Sequence, residues 1–290
     1  MRHVEEFRIE GKIVEYSIVG QGEPILILHG GHSNCYEEFG YAELMKADYQ
    51  LITPSRPGYG KTSPEWGSDL DAASNAYIKL LDHLGIGKIH VIAISAGGPS
   101  GLQLAASYPE RVKSLILQSA VTKEWLTPKD KEYKAAHLIF RPSTEKHVWK
   151  MIGFMSNQFP RFIFKQMLSS FSHMKASEIW NHINDHDLDA FRKMNNRQRS
   201  GSGFLMDIKQ TNQIKHFQLK SIKSPVLIMH SKNDAAVPIE HAYFAKENIP
   251  NAQLALLDTW GHLIWMGKGS SETTRKVIDF LKHKTLMVGD

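Results

Sequence analysis

The 290-residue sequence predicts an α/β protein: a mostly parallel, doubly wound, eight-stranded sheet carrying an inserted block of helices. Three observations carry the prediction. Short, continuous apolar runs alternate with amphipathic helical patterns, as expected of strands buried on both faces of a parallel sheet. The N-terminal segment instead alternates with a period of two, the mark of an antiparallel hairpin. Between Val121 and about Ser221 the strand pattern vanishes, and helical windows rich in Phe, Met, Trp and His replace it.

Taken in order, Arg8-Ile9-Glu10 and Ile13 to Ile18 flank Gly11-Lys12, which predicts a hairpin at the edge of the sheet. Further strands are expected at Ile25 to Leu28, Gln50 to Thr53, Ile89 to Ile94, Ser114 to Gln118, Val226 to Met229 and Gln253 to Leu257. Helices are expected near Leu70 to Leu84, Ala96 to Ser107, Ile239 to Glu247 and Ser271 to His283. The domain organisation follows: a core of residues 1–121 and 222–290, and a helical cap of residues 122–221. Phe140, Trp149, Ile152, Phe154, Met155, Phe159, Phe162, Phe164, Met167, Phe171 and Trp180 exceed the needs of one helix stripe. Most are expected in ordinary core, and the rest against a ligand under the cap.

Composition narrows the function classes. With 42% hydrophobic residues the chain can bury one large core plus a subdomain. A single cysteine, Cys35, allows no internal disulfide and calls for no oxidising compartment. The opening Met1-Arg2-His3-Val4-Glu5-Glu6 lacks the apolar stretch of a signal peptide, and no run reaches the roughly 18 to 20 apolar residues of a membrane span. A cytoplasmic protein with no membrane partner is expected. The net charge of +5 is spread among acids rather than gathered in a basic block, so no nucleic-acid partner is expected. No G-x-G-x-x-G or Walker motif implies a nucleotide cofactor. His173, His182 and His186 match no common metal spacing, so no metal is expected; oligomeric state is not written in any motif.

The chemistry centres on Ser95. It ends the strand run His90-Val91-Ile92-Ala93-Ile94 and is followed by Ala96-Gly97-Gly98 and a helical stretch, the shape of a nucleophile elbow. Small residues must flank such a turn so that strand and helix can approach closely, and Ala93 stands where the G-x-S-x-G signature has its first Gly. Upstream, His29-Gly30-Gly31 follows a strand, where an oxyanion hole is expected. Downstream, Asp234 and His262 each fall on a loop at a strand's C-terminal end, giving the chain order Ser, Asp, His. A serine hydroxyl is a poor nucleophile, so it needs a base and a third group that orients that base. Read singly, Ser95 could be a helix N-cap, Asp234 a turn residue with Asp258 as its rival, and His262 one of fifteen histidines.

Together these segments, with Ser55-Arg56-Pro57-Gly58-Tyr59-Gly60-Lys61-Thr62, Val237-Pro238 after Asp234, and Gly261-His262, resemble the α/β-hydrolase family. Many relatives carry Asp where this chain has Ser55. The resemblance implies Ser95 as nucleophile, His262 as base and Asp234 as its orienting acid, with the amides of Ala96 and Gly31 as oxyanion donors, and His29 holding the oxyanion loop. The expected activity is cofactor-independent hydrolysis of a carboxylic ester or related acyl bond in a small, partly apolar substrate. Relatives of this architecture also hydrolyse carbon-carbon bonds, cleave N-terminal proline or act as perhydrolases, and some only bind a signalling ligand. A dehalogenase would carry an aspartate at the elbow instead of Ser95. An aminopeptidase would need cap acids such as Glu178, Asp185, Asp187 or Asp189 to hold an amine.

Overall fold

A computed structural model describes residues 2–214 and 216–285. Its strands are β1 (His3–Ile9), β2 (Lys12–Val19), β3 (Glu23–Leu28), β4 (Tyr49–Pro54), β5 (Ile89–Ile94), β6 (Val112–Gln118), β7 (Val226–Ser231) and β8 (Ala252–Leu257). They form one sheet in the order β1-β2-β4-β3-β5-β6-β7-β8. Pairing is antiparallel from β1 to β2 and from β2 to β4, and parallel from β4 onward. The hairpin turns one residue earlier than expected. Glu10 and Gly11 take φ of 52° and 75°, the left-handed pair that a two-residue hairpin turn requires, and Lys12 already belongs to β2.

The helices are α1 (Tyr41–Lys46), α2 (Leu70–His83), α3 (Gly98–Ser107), α4 (Lys131–Ile139), α5 (Glu145–Gln158), α6 (Pro160–Phe171), α7 (Ala176–Ile179), α8 (Asp185–Arg197), α9 (Gly203–Gln210), α10 (His216–Lys220), α11 (Glu240–Asn248) and α12 (Ser270–Thr285). Successive strand residues point to opposite faces, so the apolar runs feed two cores. Leu26, Leu28, Val91, Ala93, Leu115 and Leu117 pack with α2, α3 and α11 through residues such as Tyr77, Leu102 and Ala242. Ile25, Ile27, Ile92, Ile94 and Ile116 pack on the other face with Leu44 of α1 and Val277 and Leu281 of α12. The short α1 had no clear periodic signal in the sequence.

Helices α4 to α10 lie between β6 and β7, with no strand among the described residues there. Phe164, Leu168, Phe191 and Met194 of α6 and α8 pack on Trp260, Leu263 and Met266, beyond the end of β8. Phe204 and Ile208 of α9 pack with Tyr59, beyond the end of β4. The helical segment thus covers the C-terminal ends of the strands. Phe154, Phe159 and Phe162 depart from expectation: at 61%, 56% and 55% exposed they are not core. Among the described residues no helix is long and apolar enough to cross a membrane.

Candidate active site

Ser95 sits where β5 turns into a 3-10 turn (Ser95–Gly97) and then α3, with a left-handed φ of 50° that a non-glycine residue adopts only under constraint. The constraint is close approach. A Cβ at Gly97 would lie 2.3 Å from the carbonyl oxygen of Leu28, and one at Gly98 would lie 2.1 Å from that of Val121. The Ala93 departure has a structural answer in α3: a Cβ at Gly101 would stand 2.5 Å from the Ala93 methyl. The small residue that the elbow lacks on its strand has been supplied on its helix.

His262 Nε2 lies 3.0 Å from Ser95 Oγ, and His262 Nδ1 lies 2.8 Å from Asp234 Oδ2. A carboxylate only accepts, so Nδ1 carries the proton and Nε2 is left to accept from the serine hydroxyl. Asp234 Oδ1 accepts from the Ala236 and Val237 amides, both at 2.9 Å. Burial alone would raise the Asp234 carboxyl, but His262, then His230 and the Val237 amide, outweigh it and hold the pKa below its ordinary value. Asp258 is exposed and forms no hydrogen bond or ion pair with His262, so geometry brings Asp234, not its rival, to the imidazole. The helical segment helps to set this alignment. The Phe171 carbonyl, at the end of α6, accepts from the His262 amide at 2.9 Å and the Ala235 amide at 3.3 Å. A Cβ at Gly261 would come within 2.4 Å of that same carbonyl oxygen, which accounts for glycine before the histidine.

The His29-Gly30-Gly31 turn is held from behind. Burial, with Arg56 beside it, drives the His29 pKa well below its ordinary value. The neutral ring donates from Nδ1 to the Gly30 carbonyl at 2.7 Å and accepts at Nε2 from the Arg56 amide at 2.9 Å. Arg56 in turn donates to the carbonyls of His29 and Gly30. With both carbonyls engaged, the Gly31 amide has no protein acceptor among the described residues and lines the cavity beside Ala96. The Ala96 amide opens the 3-10 turn, where no carbonyl lies one turn behind it. Ser55 takes its own route: its hydroxyl donates to Glu15 Oε2 at 2.7 Å and accepts from the Cys35 amide.

Sequence reasoning missed the other end of this support. The Arg56 guanidinium donates to both Asp207 oxygens, at 2.5 and 2.7 Å, and the Tyr59 hydroxyl donates to Asp207 Oδ2 at 2.5 Å. Burial would lower the Arg56 pKa, but Asp207 outweighs it and raises it, so the charge is fixed. Asp207 lies on α9, so this buried pair ties the helical segment to the His29-Gly30-Gly31 turn. An acid inside the apolar stretch Phe204 to Ile208 was the available signal.

Above Ser95 lies a cavity of about 250 Å³, walled by Trp125, Phe140, Trp149, Met167, Phe171 and Phe204 and floored by Gly31, Ala96 and His262. Among the described residues that line it, none is Lys or Arg, and the only acid is Glu37, paired to Arg197 at 2.6 Å. None of the four acids weighed for amine binding reaches it. Glu178 and Asp187 cap helices, Asp185 pairs with Arg161, and Asp189 pairs with Arg192 and Lys193. The described residues hold no group of three or more His, Cys, Asp or Glu disposed to bind a metal.

Comparison with known proteins agrees with this architecture. The profile for the alpha/beta hydrolase fold matches residues 23–141, and that for TAP-like protein matches residues 196–289. The uncharacterized hydrolase YcgS of Bacillus subtilis (strain 168) is 55% identical over 281 residues, spanning 97% of this chain and 99% of that one. A 2-hydroxy-6-oxononadienedioate/2-hydroxy-6-oxononatrienedioate hydrolase of Burkholderia vietnamiensis (strain G4 / LMG 22486) is 27% identical, covering 93% of this chain and 91% of its own. The solved alpha/beta hydrolase fold protein from Nakamurella multipartita superposes with a TM-score of 0.80 at 24% identity, over 96% of this chain and 98% of that one. With an elbow serine, a strand-end acid and a C-terminal histidine meeting on a sheet of this order, the chain belongs to the α/β-hydrolase family.

Proposed function

We propose that this protein is a cofactor-independent serine hydrolase that cleaves a carboxylic ester or related acyl bond of a small, partly apolar molecule, with residues 122–221 acting as a cap over the site. One observation carries the reading: the continuous chain from Ser95 Oγ through His262 to Asp234, at 3.0 and 2.8 Å, beside the amides of Gly31 and Ala96.

The steps follow from that chain. Ser95 gives its proton to His262 Nε2 as Oγ attacks the carbonyl carbon, while Asp234 stabilises the imidazolium. The Gly31 and Ala96 amides meet the negative charge that grows on the carbonyl oxygen. Collapse expels the alcohol, which takes the proton from His262, and leaves an acyl-enzyme on Ser95. Water then attacks, giving its proton to His262 Nε2, which returns a proton to Ser95 Oγ as the acid leaves.

The cavity lining favours an uncharged ester. The substrate name of the Burkholderia relative denotes a dicarboxylate, and a carboxylate in this apolar cavity would have no free cation beside it among the described residues. Carbon-carbon hydrolysis is therefore the second reading, supported by that likeness. The engagement of Glu178, Asp185, Asp187 and Asp189 outside the cavity weighs against amine-bearing substrates. Intact-protein mass after treatment with an activated fluorophosphonate tests the nucleophile. A single adduct on the wild type, absent from Ser95→Ala and His262→Ala, is expected. A folded wild type that takes no adduct would favour a ligand-binding role instead.

A further inference from the structure

His32 follows the Gly31 amide directly, so its Cα stands about 3.8 Å from that of Gly31. It has a left-handed φ of 62° and is not a glycine, so the surrounding structure holds it there. The ring is packed among Phe204, Phe140 and Trp149, with centroids 3.8, 4.3 and 5.0 Å away. It lines the cavity above Ser95.

Hydrogen-bond accounting fixes which ring nitrogen bears the proton. Trp149 Nε1–H, which can only donate, gives its hydrogen to Ser200 Oγ at 2.8 Å. His32 Nδ1 lies 2.8 Å from the same oxygen. Among the described residues Ser200 Oγ has no other partner, and Ser200 is fully buried, so its one proton must go to Nδ1 or be lost to bonding. Nδ1 is therefore an acceptor. Desolvation drives the His32 pKa down to about 3, so the ring is neutral at ordinary pH. A neutral ring that accepts at Nδ1 must carry hydrogen on Nε2. Nε2 has no protein partner among the described residues and is not among the buried polar atoms sealed from solvent. It offers a donor to the cavity.

We infer that His32 determines specificity by donating from Nε2–H to a neutral oxygen of the substrate, a ketone, ether or hydroxyl oxygen set within its apolar portion, a proposal that rests on the ester-hydrolase reading above. Such a substrate fits both halves of the cavity. The rings of Phe140, Trp149 and Phe204 take the carbon skeleton, and one uncharged donor takes the oxygen without needing a countercharge. The fixed backbone of the neighbouring oxyanion turn keeps that donor at a constant offset from the scissile carbonyl. A plain alkyl ester would leave Nε2–H facing carbon.

Two measurements on the full chain test this. Nitrogen NMR of histidine-labelled wild type should show His32 protonated on Nε2 and not on Nδ1; the reverse tautomer overturns the inference. Nitrophenyl esters of a straight alkanoic acid and of its 3-hydroxy, 3-oxa and 4-oxo counterparts are then compared as ratios of kcat/KM. At least one oxygenated ester should exceed the alkyl ester by about tenfold, the worth of one hydrogen bond. His32→Phe keeps a ring but no donor, and His32→Asn suits the left-handed backbone. Asn carries an amide donor, but its shorter side chain ends near the Nδ1 position and does not reach where Nε2 stood, so either variant that folds should bring the ratio near one. Turnover by wild type with a ratio near one, or a ratio unchanged in the variants, overturns the role of His32 alone. No turnover of any ester overturns the ester reading and this proposal with it.

Discussion

Two buried aspartates, Asp234 and Asp207, are 3% and 4% exposed, yet they hold opposite kinds of partner. Asp207 takes two N–H groups from a guanidinium and a third hydrogen from Tyr59, so all its bonds are to groups that keep their protons at any ordinary pH. Asp234 gives one oxygen to backbone amides and the other to an imidazole, which can gain and lose a proton within a catalytic cycle. The same carboxylate is a clamp in one place and, in the proposed mechanism, an orienter in the other. Partner chemistry, not burial, separates the roles.

The sharpest test of that difference is to change each acid. Asp234→Asn keeps the shape but favours the wrong imidazole tautomer, and kcat for ester hydrolysis is expected to fall about 10⁴-fold, far more than the lost carboxylate charge lowers the urea midpoint. Asp207→Ala leaves the Arg56 guanidinium buried without its counterion and is expected to cost about 3–5 kcal/mol of stability. Arg56→Met combined with Asp207→Leu should recover much of that loss, because no uncompensated charge remains. If the paired apolar variant is as stable as wild type but loses activity, the clamp serves the Gly31 turn more than the fold. If Asp207→Ala leaves stability untouched, the contrast between the two acids fails.

The contrast was only half legible in the sequence. Asp234 lies within a few residues of its strand and of Val237-Pro238, so local pattern found it, as it found Ser95 between Ala93 and Gly97. The strands were legible for the same reason: each apolar run is a local signal, and β5 runs from Ile89 to Ile94 as expected. Asp207 meets Arg56 across 151 positions of sequence, and no periodicity encodes that meeting. The same limit applies to the helical segment. Phe140, Trp149, Met167 and Phe171 line the cavity while Phe154, Phe159 and Phe162 face outward, although all belong to one aromatic-rich stretch. Helix packing sorted them, and packing is not a local property.

Acid titration separates titratable partners from fixed ones across the whole molecule. Burial drives His241 to a pKa of about 3, with Lys123 and His230 adding to the shift and Asp234 opposing it, and His32 also sits at about 3. Their unfolded values are about 6.5, so the unfolded chain binds more protons as pH falls below that point, and stability falls with it. Each histidine contributes up to about 1.4 kcal/mol per pH unit once the pH is well below 6.5, or about 3 kcal/mol for the two between pH 6.5 and 5. Asp234 acts in the same direction at lower pH. Its depressed pKa gives stability that is present above about pH 4 and is lost as the pH falls through the folded value. Urea midpoints measured from pH 7 to 5 should decline steadily, and a flat profile would mean that these rings are not held neutral.

The smallest expected effect concerns the backbone that brings Ser95 to His262. Helix propensity alone says that Gly101→Ala, in the middle of α3, should stabilise by about 1 kcal/mol. The methyl of Ala93 lies 2.5 Å from where the new Cβ would stand, an overlap that costs about 1–3 kcal/mol if strand and helix must part. A net loss of about 1 kcal/mol is expected, along with weaker fluorophosphonate labelling as Ser95 shifts with its strand. Ala93→Gly in the same chain moves the methyl from strand to helix, restores the G-x-S-x-G pattern and should reverse both effects. A favourable coupling between the two sites would establish that this elbow kept its close approach by relocating its glycine, whereas additive effects would mean that strand and helix tolerate the extra methyl independently.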